Sequence, residues 1–230
     1  IETMLYEGGA IKRRGSVQGQ NTVSDNTDLE HEKGKTIFSH QMFVNWRGNK
    51  LNIIDTPGFD DFVGEVISSL KVADTALIVL NAANGVEVGT EIVWEYVEKY
   101  ETPAIFVINQ MDHAKADFEK TLEQAKERFG SKVVPVQYPF NSGTNFNAII
   151  DALRMVMYEF PANGGKPEKK PIPDSEIDRV NKMHNALVEI AAENEEGLME
   201  KYFEEGYLSE EELAKGITIA LAKQQFFPVF

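Results

Sequence analysis

The chain of 230 residues has no cysteine, which excludes disulfides and thiolate metal sites. It also lacks any run approaching the roughly 20 apolar residues that a membrane-spanning helix needs. Its opening, Ile1-Glu2-Thr3-Met4-Leu5-Tyr6, has neither the basic start nor the apolar stretch of a secretory signal. These absences fit a cytoplasmic protein with no membrane partner. Positive charge is scarce as well. Lys and Arg number 23 against 37 Asp and Glu, a formal net charge of −14. That balance argues against broad electrostatic binding of DNA or RNA, but it permits docking on a large ribonucleoprotein through a few contacts. The four histidines, His31, His40, His113 and His184, show no metal-ligand spacing. No Ser/His/Asp arrangement suggests nucleophilic catalysis.

What is present supports a sizeable core, with 42% hydrophobic residues. Residues 1–10 read as the end of a helix closed at Gly8-Gly9, and Gly15 to Asp28 as a polar loop. Gln41 to Trp46, a turn over Arg47 to Lys50, and Leu51 to Ile54 predict a β-hairpin. Asp60 to Val72 predicts a helix with Phe62, Val66, Ser69 and Leu70 on one face. Buried strands over Ala76–Leu80 and Ala104–Ile108 alternate with helices over Thr90–Tyr100 and Phe118–Phe129, the last closed by Gly130. Such alternation implies right-handed crossovers and a mostly parallel sheet.

After residue 130 the pattern changes. Val133–Val136 and Met155–Tyr158 read as strands around a short Phe146–Leu153 segment. Pro161 to Pro173 reads as a linker. A long helix is expected from about Asp174, with Ile177, Val180, Leu187, Ile190 and Leu198 on its apolar stripe. Ser209 and Glu212 form a capping-box pattern opening a second helix. The last residues, Phe226 to Phe230, read as a strand. Acidic residues concentrate between Glu193 and Glu212, either as a solvated face or as a docking surface for a basic partner.

Two polar loops follow apolar strands. Asp55-Thr56-Pro57-Gly58 follows Leu51–Ile54, and Asn109-Gln110-Met111-Asp112 follows Ala104–Ile108. Ligands of open α/β sheets bind outside the carboxyl ends of the strands. Asp55 can hold Mg²⁺ through water, because this ion keeps several waters when bound by one or two carboxylates and phosphate oxygens. Gly58 can bring its N–H close to a phosphate with no side chain intervening. The Thr36 hydroxyl could complete the Mg²⁺ shell. Asn109 and Asp112 form a base-reading pair: a carboxylate accepts from guanine N1–H and N2–H₂ together, while adenine offers neither. Either loop alone is a weak signal, since Asp, Asn and Pro-Gly are also common in ordinary polar turns. In this order and spacing they point to a GTP-binding protein.

With these motifs the chain resembles the GTPase portion of translational GTPases of the elongation factor G type. Glu30-His31-Glu32-Lys33-Gly34-Lys35-Thr36-Ile37 looks like that family's switch I end, usually E-x-E-R-G-I-T-I. Asp55-Thr56-Pro57-Gly58 looks like its switch II motif, and Asn109–Asp112 sits where N-K-x-D belongs. Residues 131–222 resemble the inserted G′ subdomain. The resemblance implies an α/β fold: a P-loop GTPase-type, mostly parallel sheet flanked by helices, with an α+β G′-like insert. The G domain would comprise residues 1–130 and 223–230. The resemblance further implies GTP or GDP and Mg²⁺ as ligands and the ribosome, both rRNA and ribosomal proteins, as partner. Nucleotide contacts fall on Asp55, Thr56, Pro57, Gly58, Phe59, Asn109, Gln110, Met111 and Asp112, and metal contacts on Thr36 and Asp55.

The chain also departs from the family pattern. The phosphate loop G-x-x-x-x-G-K-[ST] is missing, Ile1 reads as the helix just after it, and the last guanine loop lies beyond Phe230. A piece of a longer protein is therefore expected. Phe59 stands at the position of the catalytic histidine, so no catalytic residue is assigned. Gln110 replaces the lysine of N-K-x-D, and Lys33 and Lys35 replace the usual Arg and Ile. Three readings stay open: a translocation or ribosome-remodelling factor with impaired hydrolysis, a non-hydrolysing regulatory or ribosome-protection paralogue, and a domain that has lost nucleotide binding.

Overall fold

The computed structural model describes residues 1–162, 165–195 and 197–230; Asn163 and Gly164 of the expected linker and Glu196 of the acidic stretch lie outside the described residues. The chain divides into two compact units, Ile1–Asp74 and Thr75–Phe230.

The first unit runs α1 (Glu2–Glu7), α2 (Asp28–Lys33), β1 (His40–Trp46), β2 (Asn49–Asp55), a 3₁₀ turn (Asp60–Phe62) and α3 (Val63–Leu70). Strands β1 and β2 pair antiparallel from His40 opposite Asp55 to Trp46 opposite Asn49. The turn between them is tighter than the sequence suggests. Arg47 and Gly48 alone make it, with φ of 49° and 81°. Two successive positive φ values match the right-handed twist of a hairpin, so Asn49 and Lys50 join β2. Helix α2 begins at the last residue of the polar stretch. Thr27 caps it, with Glu30 completing a capping box. In α3 the buried residues are Val66, Ser69 and Leu70, the face that apolar spacing predicts.

The second unit begins with β3 (Ala76–Asn81), α4 (Val88–Lys99), β4 (Ala104–Asn109), α5 (Phe118–Phe129) and β5 (Val133–Pro135). Strands β6 (Gln137–Pro139), β7 (Ala148–Asp151), β8 (Val156–Glu159) and β9 (Glu168–Lys170) follow. Helices α6 (Ile177–Asn194), α7 (Leu198–Glu205) and α8 (Glu210–Ala222) precede the last strand, β10 (Phe227–Val229). One sheet has the order β3-β4-β10-β5 and is parallel throughout. Its centre is an aromatic cluster: Trp94 of α4 lies 5.5 Å from Phe106 of β4, 4.8 Å from Phe129 of α5 and 5.0 Å from Phe227 of β10. Such pairs contribute about 0.5–1.5 kcal/mol each beyond their area. They tie the last strand to helices from the middle of the chain. Strand β3 is buried only on alternate residues, Ala76, Ile78 and Leu80, while Leu77 and Val79 are about half exposed.

The second sheet, β6-β7-β8-β9, is antiparallel. The region after residue 130 holds four departures from sequence expectation. The Phe146–Leu153 segment contributes β7. The Pro-rich linker contains β9, which pairs with β8 from Met157 opposite Lys170 to Glu159 opposite Glu168. Strand β5, expected with the material after residue 130, pairs with β10 in the parallel sheet. The expected long helix is also divided. It ends at Asn194, and Leu198 opens α7, with Gly197 in a left-handed conformation at φ 90°. Helix α8 starts at the predicted capping box of Ser209 and Glu212 and packs on α6 around Val188, Ala191 and Leu213. The approach is close: a Cβ at Gly216 would stand 2.6 Å from the carbonyl oxygen of Ala191.

Candidate functional site

In the first unit Thr36 meets a network of carboxylates. Thr36 Oγ1 donates to Asp25 Oδ1 at 2.7 Å, and Asp25 is itself buried. The organising residue is Glu30, almost fully buried at 1% exposure. Its Oε1 accepts from the backbone N–H groups of Ile37 at 3.0 Å and Phe38 at 3.2 Å. Its Oε2 accepts from Thr27 Oγ1 at 2.7 Å and from Thr27 N–H at 3.2 Å. His40 Nε2 donates to the same carboxylate at 2.8 and 2.9 Å, since an ionised carboxylate can only accept. Burial by itself would push the Glu30 carboxyl up, but these donors outweigh it and hold it down at about 2. The segment carrying Thr36 is thereby tied to one charged side chain.

Asp55 ends β2 opposite His40. Burial pushes its carboxyl above the ordinary range; the negative charges of Asp25 and Glu30 act in the same direction, while the terminal amino group and His40 oppose them. A cation beside Asp55 would remove that penalty. Pro57 is buried and Gly58 exposed. No protein atom beyond its chain neighbours lies within 4 Å of where a Cβ at Gly58 would stand, so the space on that side of its backbone is open. Asp25, Thr36 and Asp55 supply hard oxygen donors, the set Mg²⁺ takes when it keeps waters and phosphate oxygens. They fit that ion better than a dehydrated metal cage, and no cluster of three or more His, Asp or Glu suited to a metal occurs among the described residues. Phe59 is 53% exposed, and Lys35 Nζ lies 4.2 Å from its ring centroid and 5.8 Å from that of Phe62.

In the second unit Asn109 ends β4 and Asp112 follows it, at the carboxyl edge of the parallel sheet. Strand pairing sets Asn109 beside Asn81, the last residue of β3. Backbone bonds hold the loop: Ala82 N–H donates to Asn109 O at 2.9 Å, His113 N–H to Gln110 O at 3.0 Å and Gly143 N–H to Met111 O at 2.8 Å. Met111 is buried as a plug, whereas Asn109, Gln110 and Asp112 are exposed. Gln110 takes φ of 62°, and its Oε1 accepts from Asn81 Nδ2 at 3.0 Å. The Asp112 carboxylate forms no hydrogen bond or ion pair among the described residues, which leaves both oxygens available to a bidentate donor.

Four residues in these constellations escape sequence reasoning. Asp25 and His40 lie in unpatterned polar sequence with no local signal. Glu30 had one, the Thr27-x-x-Glu30 capping-box spacing. Asn81 had one too, as a polar residue ending an apolar strand.

The chain is similar over residues 1–207 to the family model described as the elongation factor Tu GTP binding domain. It is 40% identical over 231 aligned residues to elongation factor G of Mycoplasma pneumoniae, covering 99% of this chain and 33% of that protein. It is 38% identical to elongation factor G of Mycoplasma genitalium with the same coverage. A crystal structure from Thermus thermophilus superposes with a TM-score of 0.90 at 31% identity, covering 99% of this chain and 34% of that one. The chain thus spans about a third of the length of these relatives.

Proposed function

Because the chain belongs to the elongation factor Tu GTP-binding domain family, we propose that it is the GTP-binding domain of a ribosome-associated, elongation factor G-like translation factor. Residues 131–222 would form its G′-like insert, with β5 shared with the parallel sheet. The observation that carries this reading is the Asn109–Asp112 loop, fixed by backbone bonds at the carboxyl edge of the parallel sheet with the Asp112 carboxylate uncommitted. Asn109 and Asp112 would read guanine. Asp55 and Thr36 would hold Mg²⁺, and the Gly58 N–H would contact phosphate. Bound Mg²⁺ supplies charge neutralisation at the phosphates. The work would take place in the cytoplasm on the ribosome. Part of the acidic surface would face a basic ribosomal partner, although Lys201 already pairs Glu205 and Glu212, and Lys215 pairs Glu195.

Hydrolysis would be weak. Phosphoryl transfer asks the protein chiefly to position the nucleophile and stabilise developing charge. The exposed Phe59 ring has no donor or acceptor for water, and its face is turned to Lys35. Loss of a general acid or base group commonly costs about 10²–10⁴ in rate. A second reading, favoured by the same residue, is a non-hydrolysing regulatory or ribosome-protection factor that works through binding and dissociation. Ribosome-stimulated phosphate release by the full-length protein and its Phe59→His variant tests the proposal. The expected result is slow release by wild type and a gain in Phe59→His. Wild-type turnover equal to that of a histidine-bearing elongation factor would overturn it.

A further inference from the structure

Asn81 has a role beyond ending β3. Its Oδ1 accepts from the backbone N–H groups of Ala83 at 2.9 Å and Asn84 at 3.3 Å. Those two donors fix the orientation of the Asn81 amide, because only its oxygen can accept them. Its Nδ2 must then face Gln110, and it donates to Gln110 Oε1 at 3.0 Å. This in turn fixes the second amide. With Oε1 turned toward Asn81, the Nε2 group of Gln110 is the side left over, and it has no protein partner among the described residues. Gln110 is exposed and held in the left-handed region at φ 62° between Asn109 and Met111. Two loops at the carboxyl edge of one parallel sheet are therefore joined by a neutral relay. It runs from the turn after β3, through Asn81, to the loop after β4.

We propose that Asn81 is a positioning residue for the nucleotide's base. It orients the Gln110 amide so that Nε2, a neutral donor, is presented to an acceptor on the purine nucleoside. The proposal rests on the reading of Asn109–Asp112 as the guanine loop. The physical point is that a free glutamine side chain would sample several rotamers and both amide orientations. Fixing it in advance removes that ordering cost from binding. The relay is uncharged, so it does this without placing a cation beside Asp112.

Asn81→Asp is the informative variant. It keeps an oxygen for Ala83 and Asn84, so the turn stays capped, but it turns a second oxygen toward Gln110. The Gln110 amide must then flip to donate to the carboxylate, which presents its oxygen to the ligand in place of Nε2. Gln110→Lys in that background supplies a cation for the new carboxylate and removes the misplaced acceptor. We expect Asn81→Asp to raise the Kd for GDP of the full-length protein about three- to tenfold with its melting temperature unchanged, the size of one hydrogen bond. We expect the Asn81→Asp, Gln110→Lys pair to recover most of that loss. Additive losses in the two variants, or a Kd unmoved by Asn81→Asp, would overturn the role of Asn81 while leaving the guanine loop intact. A wild-type protein that binds ATP as well as GDP, or neither, would overturn the guanine reading and this inference with it.

Discussion

The loop that carries Thr36 and the loop that carries Asp112 are held by different kinds of bond. The Asn109–Asp112 loop grows from a parallel ladder and is fixed by backbone groups donating to backbone carbonyls. The segment from Gly15 to Ser39 has no ladder. Its backbone N–H groups are gathered by three carboxylates: Glu2 accepts from Gly15, Val23 and Ser24, Glu30 from Thr27, Ile37 and Phe38, and Glu65 from Ser39. A ladder is cooperative and indifferent to pH. Carboxylate hubs can be released one at a time by protonation, by competition from a cation, or by a ligand that takes over the N–H groups. The first construction suits a site that must keep one shape; the second suits a segment that must change shape.

The largest effect should come from Glu30. In Glu30→Ala the N–H groups of Ile37 and Phe38 lose their acceptor, and a buried unsatisfied donor costs about 1–3 kcal/mol. We expect a loss of roughly 3 kcal/mol, read by chemical denaturation, with faster amide exchange confined to residues 25–40. Loss spread evenly into β4 would erase the contrast between the two constructions.

A next, comparable effect concerns Asp112. The Asp112→Asn amide can donate to the 2-oxo group of xanthine, where a carboxylate would repel it. Competition of GTP and XTP against a labelled analogue should show a change in preference of about 10²-fold, the worth of a well-formed polar match. Unchanged preference would remove Asp112 from the base site.

Acid should act on carboxylates of the first unit with opposite signs. The folded Glu30 carboxyl, at about 2, lies below its ordinary 4.5. Its stabilising contribution is therefore full above 4.5 and is lost as pH falls from there toward 2. Asp55 has the opposite sign. Its carboxyl is raised from 3.8 by burial, so protonation favours the fold. Asp55→Asn should leave thermal stability unchanged or higher while weakening Mg²⁺-dependent nucleotide binding. A thermal-melt series from about pH 6 to about pH 3 on both Glu30→Gln and Asp55→Asn separates the two signs.

Smaller effects lie outside the loops. Gly216→Ala introduces a better helix former but drives a methyl against the Ala191 backbone. We expect a net destabilisation of about 1–3 kcal/mol in urea unfolding. Ser209→Ala removes a cap whose hydroxyl accepts from Glu212 N–H at 3.3 Å and should cost about 1 kcal/mol.

The same contrast explains what could be read from the sequence. Strands β3 and β4, helices α4 and α5 and the loop after β4 announce themselves through apolar runs and periodicity, since ladder and core depend on local pattern. The capping box at Ser209 was legible for the same reason. The hub around Glu30 was not, because the groups it gathers at Ile37, Phe38 and His40 lie across an unpatterned polar stretch of chain. Strand β9 escaped because Glu168-Lys169-Lys170 is an edge strand whose pairing with β8 carries no apolar alternation. The division of α6 from α7 rests on a positive φ at Gly197, and a glycine in a helical pattern is equally compatible with continuation. Among the candidate residues, Asp55, Asn109 and Asp112 carry a signal of motif and position, whereas Asn81 and Asp25 depend on which side chains the fold brings beside them.

The guanine reading of the Asn109–Asp112 loop is tested most directly by a calorimetric titration of the full-length protein with GTP, GDP and ATP in the presence of Mg²⁺. Saturable binding of both guanine nucleotides is expected, with none of ATP at the same concentrations. Equal affinity for ATP, or no binding of either guanine nucleotide, would contradict that reading.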